Sequence, residues 1–136
     1  MRRAAALALV VLAVAGCGGG DSDSDDPTAA VRTYLRSFAA GDPALACARL
    51  TAPARTRLVA RVAVIAPARD CPAAVRRIRA AAGPVAMAAL ARTRVTGVRV
   101  DGKRATATLR SGPGTQVARL VRTGGRWLLT AAPGTQ

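Results

Sequence analysis

A chain of 136 residues has room for one domain; half of it is apolar, yet only Tyr34, Phe38 and Trp127 are aromatic, so any core must be built from small aliphatic side chains. There are 21 basic residues against 7 acidic, with no glutamate and no histidine, which excludes a histidine metal site and a Ser–His pair. From Pro27 onward 19 basic residues face three aspartates, a net charge of +16, and a field of that strength favours anionic partners.

The chain begins with a charged start, Met1-Arg2-Arg3, followed by an unbroken apolar run over 4–15. That run is shorter than the roughly 20 residues needed to cross a bilayer, and it ends in small residues, the form of a secretory signal. Val14-Ala15-Gly16-Cys17 resembles the lipobox of bacterial lipoproteins. The resemblance implies that 1–16 is a signal peptide and that Cys17 receives a diacylglyceryl group and becomes the mature N-terminus. The protein is then expected to be extracytoplasmic and lipid-anchored to the cell membrane. Residues 17–26 read as the lipidated cysteine and a flexible tether, coil-like through its glycines and extended by Asp21, Asp23, Asp25 and Asp26.

The domain is expected over 27–133. Asp26-Pro27 has the residues of a helix start, and Val31, Tyr34, Leu35 and Phe38 recur at helical spacing up to Gly41. Asp42-Pro43 repeats the start and predicts a short helix through Leu50. Thr51-Ala52-Pro53 opens a third helix, whose apolar side is read as Leu58, Val62 and Ile65 and which Pro67 stops. Asp70-Cys71-Pro72 opens a fourth, with Val75, Ile78 and Ala82 as its apolar side, ended by Gly83-Pro84. Residues 85–91 are either one more short helix or an irregular lead-in.

From Thr93 the period changes to two. Val95, Val98 and Val100, offset at Gly97, predict a bulged strand. Asp101-Gly102 predicts a two-residue hairpin turn, and Ala105, Ala107 and Leu109 alternate with polar residues in the next strand. A third strand over 116–122 and a last one over 126–130 follow, joined at Gly124-Gly125. Helices followed by a four-stranded antiparallel meander make an α+β fold.

Once Cys17 is acylated, Cys47 and Cys71 remain, and an even pair in an exported protein is expected to be bonded. The bridge would enclose the third helix and contribute about 3 kcal/mol by loop entropy. A free thiol pair or a redox couple is the weaker alternative, since there is no Cys-x-x-Cys motif.

Phe38-Ala39-Ala40-Gly41-Asp42, then Ala46-Cys47-Ala48-Arg49-Leu50, then a second cysteine opening a helix and a meander closing on Gly125-Arg126-Trp127 resemble the small NTF2-like (SnoaL-like) lipoproteins of G+C-rich Gram-positive bacteria. The resemblance spans Pro27 to Leu129 and implies a cone in which a curved sheet wraps the helices around a pocket. Catalytic members of that family use pocket Asp/His or Asp/Tyr combinations. Here the sheet half contains only Asp101, in a turn, so the expectation leans toward a noncatalytic protein without cofactor.

The candidate site residues each have a plainer role. Tyr34 lies on the apolar stripe of the first helix, Asp42 and Asp70 stand where helices need caps, and Trp127 fills a core short of large side chains. Arg76, Arg77 and Arg79 are the candidate anion contacts, with a solvated helix face as the plainer reading. The coding bias of a G+C-rich genome accounts for the charge at least as well as selected anion binding. The leading expectation is a binding or interaction module for an anionic envelope component or a small apolar ligand, with no nucleic acid partner. An isomerase- or hydrolase-like enzyme, and a structural component forming a homodimer through its sheet, are the alternatives.

Overall fold

The computed structural model describes residues 26–133. The expected signal peptide, the expected lipidation site Cys17 and all of the expected tether but Asp26 lie outside the described residues.

Four helices come first: α1 (Pro27–Ala40), α2 (Pro43–Ala48), α3 (Ala52–Ala63) and α4 (Cys71–Ala91). Each starts on a side-chain cap that satisfies an otherwise orphaned amide. Asp26 accepts from Thr28 N at 2.8 Å, Asp42 from Leu45 N at 3.0 Å, Thr51 from Ala54 N at 3.3 Å and Asp70 from Ala73 N at 2.8 Å. A proline follows within the first two positions every time, where its missing N–H is no loss. α4 is two helical pieces joined at Gly83, whose φ of 76° and ψ of 176° break the spiral before Pro84. Residues 84–91 are therefore the short helix of the two alternatives.

The sheet is a meander, β1 (Arg94–Asp101), β2 (Arg104–Ser111), β3 (Gly114–Thr123) and β4 (Arg126–Leu129), antiparallel throughout and in sequence order. The register of β1 on β2 slips between Val95 and Gly97, the bulge that the valine offset predicts. The first turn sits one residue later than expected: Asp101 pairs with Arg104, leaving Gly102 and Lys103 as the loop.

One face of the sheet carries Ala105, Ala107, Leu109, Ala118, Leu120, Trp127 and Leu129, all buried. α1 packs on this face with Val31, Tyr34, Leu35 and Phe38, and each fully buried aliphatic contributes about 2 kcal/mol. Small alanines on β2 and β3 let the helices come close, so the aromatics can be few. The disulfide Cys47–Cys71, with Cα atoms 6.0 Å apart, ties α2 to the start of α4.

Two helix ends differ from the sequence reading. α2 stops at Ala48, because residues 49–51 leave it to pair alongside β4. Leu129 N donates to Arg49 O at 2.8 Å, and Thr51 N donates to Leu129 O at 3.0 Å. α3 stops at Ala63, so its buried side is Ala54, Leu58 and Val62, and Ile65 lies in the following turn, exposed. In α4, Val75 is buried, Ile78 is only partly so and Ala82 is exposed.

Candidate functional site

Residues 49–51 run beside β4, so α3 begins at the sheet edge. Between α3 and the sheet lies a cleft of about 830 Å³. Its floor is the outer side of β2–β4, with Thr106, Val121 and Leu128; its wall is the start of α3, with Ala52 and Pro53; and Arg57, Arg104 and Arg119 line it. A second cleft of about 370 Å³ adjoins it, sharing Arg57, Arg119 and Thr130 and adding Arg61 and Leu58.

Arg57 is the hinge between the two clefts, and its guanidinium is oriented. Nε donates to Pro53 O at 3.3 Å on its own helix, and Nη2 donates to Thr130 O at 3.1 Å beyond the end of β4. Thr130 is itself placed by donating Oγ1 to Arg119 O at 3.1 Å. Cations over an apolar floor can hold a compact anionic group while the floor takes an aliphatic body. Among the described residues lining the two clefts there is no aspartate, tyrosine or cysteine. Arginine guanidinium and threonine hydroxyl groups are the polar side-chain groups lining the two clefts.

The space where the family resemblance puts a pocket, between the helices and the sheet, is largely filled by Tyr34, Leu35, Phe38, Leu109 and Trp127. At its mouth a cleft of about 240 Å³ lies among Leu35, Leu90, Leu109, Ser111 and Gln116.

The residues singled out from sequence are dispersed. Tyr34 and Trp127 are core, and burial pushes the Tyr34 hydroxyl pKa well above its ordinary range. Asp42 and Asp70 are caps. Arg76 and Arg77 are exposed on α4. Arg79 turns inward: Nη1 donates to the carbonyl oxygens of Phe38 and Ala39, unsatisfied acceptors at the end of α1. It lies so close under Gly41 that a Cβ there would sit 3.1 Å from Nη2; Gly41 also has a φ of 87°. The three arginines therefore do not form one anion-facing set.

The arginines that do share a cleft come from α3, β2 and β3, and no local pattern in the chain marks them as a group. Arg55 is also structural, with Nη1 donating to Leu50 O at 3.0 Å and Cys47 O at 3.4 Å. Arg49 is only 8% exposed, and its Nε and Nη1 are buried without a hydrogen-bond partner. Compared with protein-family models, curated proteins and solved structures, the chain matches none.

Proposed function

We propose that this chain is an NTF2-like lipoprotein, held at the extracytoplasmic face of the membrane by an acylated Cys17, that binds an anionic amphiphile without transforming it. The observation that carries the binding reading is the α3–sheet cleft, in which Arg57, Arg104 and Arg119 stand over the apolar Val121 and Leu128. The NTF2-like assignment is supported by the order of helices before a meander and by α1 lying across the sheet's buried face. The lipobox-like Val14-Ala15-Gly16-Cys17 supports the anchor.

Dodecyl phosphate, below its micelle concentration, is a suitable probe for the mature chain from residue 17 carrying Cys17→Ser. Calorimetric titration should show binding that uncharged dodecyl maltoside does not reproduce. Arg57→Ala and Arg119→Ala should each weaken it about tenfold, as expected for one charge-assisted hydrogen bond lost. Equal binding by these variants would remove the cleft as the site, and release of inorganic phosphate would make the protein an enzyme. In cells, Cys17→Ala should shift the protein out of the membrane fraction or leave it as the uncleaved precursor.

A further inference from the structure

Val64 and Ile65 form an apolar tip at the end of α3, 87% and 89% exposed. The sequence periodicity places Ile65 on the buried side of the helix, but α3 ends at Ala63 and the chain turns before reaching the core. The turn continues through Ala66, Pro67 and Ala68, which offer no charge, and it is bracketed by the exposed Arg61 and Arg69. From Pro43 to Arg69 the sequence has no acidic residue. Asp70, which follows, has Oδ1 engaged as the cap of α4.

Two adjacent β-branched aliphatics at an exposed turn, flanked along the chain by Arg61 and Arg69, match the two-part character of a membrane interface. Apolar side chains gain by entering the boundary with the acyl chains, and each basic residue held near an anionic surface adds about fivefold in affinity. We infer that the Val64–Ile65 turn is a membrane-contacting tip that inserts into the interface of an anionic phospholipid bilayer. The inference rests on the extracytoplasmic, membrane-anchored placement proposed above. It adds to that anchor a contact made by the domain itself, since the proposed lipid attachment at Cys17 is separated from Pro27 by nine residues. A second contact at the α3–α4 turn would orient the domain on the bilayer.

Val85 is the internal comparison. It is 83% exposed, but it follows the Gly83-Pro84 break, and its nearest arginines along the chain, Arg79 and Arg92, are six and seven residues away. The test uses the mature chain from residue 17 carrying Cys17→Ser, so that binding is through the protein surface alone, and floats it with vesicles of phosphatidylcholine with or without phosphatidylglycerol. Binding is expected only where phosphatidylglycerol is present. Val64→Ser/Ile65→Ser should weaken it about tenfold with the melting temperature unchanged, Arg69→Gln should weaken it and flatten its salt dependence, and Val85→Ser should leave it alone. The proposal is overturned if the chain ignores anionic vesicles, if the double variant binds like the parent, or if Val85→Ser is equally damaging. It is overturned too if the double variant changes only the sedimentation of the free protein, since the tip is then a contact between copies. These readouts use none of the cleft arginines, so failure here leaves the amphiphile test standing, and the reverse.

Discussion

Arg79, Arg49 and Arg76 carry the same charge and do three different things. Arg79 satisfies the carbonyls that α1 leaves open at its C-terminal end. Arg79→Ala should therefore cost about 2 kcal/mol in urea unfolding, the usual value of a hydrogen bond from a charged group. Arg49 is buried without partners for two of its nitrogens. Desolvating a cation without pairing it is unfavourable, so Arg49→Met should leave stability unchanged or raise it by about 1 kcal/mol or more. Arg76 is exposed, and Arg76→Ala should stay within about 0.5 kcal/mol. If all three variants behaved alike, these assignments would be wrong. Tyr34 offers a second test at this scale. Burial raises its pKa above the unfolded value of about 10, so the folded state holds the phenolic proton more tightly. Its contribution to stability is complete below about pH 10 and is lost as the pH rises from there toward the folded value. Tyr34→Phe should remove that alkaline fall, measured by urea unfolding on either side of pH 10. The signal is clean because the chain has one tyrosine, one lysine and no histidine.

α2 is six residues long, too short to persist by hydrogen bonding alone. It is held by Asp42 at its start, by Arg55 bonding to Cys47 O and Leu50 O near its end, and by the Cys47–Cys71 bridge. The bridged cysteines are 24 apart in sequence, so the bond removes about 3 kcal/mol of loop entropy from the unfolded chain. Cys47→Ala/Cys71→Ala, or reduction, should lower the melting temperature by about 10 °C or more in a domain of this size. It should also expose α3 to proteolysis, because α3 lies inside the loop the bridge closes. A drop of only a degree or two would mean that the packing of α2 on α1 and α4 suffices without the bond.

At the scale of the whole molecule, the helices and strands were legible because their signals are local. Each Asp-Pro or Thr-x-Pro start contains its own cap, the valines and alanines of the last third alternate, and glycines stand at each turn. The α+β class follows from their order, and the Cys47–Cys71 disulfide joins the pair that the expected acylation of Cys17 set aside. The candidate site was not legible. Arg76, Arg77 and Arg79 stood out as neighbours in sequence, but adjacency on a helix points side chains different ways, and Arg79 went inward to α1. Arg57, Arg104 and Arg119 are distant in sequence and share a cleft because β2 and β3 pair with Arg104 and Arg119 on one face and α3 starts beside β4 after residues 49–51. The end of α3 also departs from the local signal: periodicity favoured continuing to Ile65, while the helix ends at Ala63 and leaves Val64 and Ile65 exposed. Short-range hydrogen bonding and side-chain alternation thus determined the elements from sequence alone. Which arginines face a ligand, a helix end or the core was decided by long-range pairing and burial, which no local stretch of the chain contains.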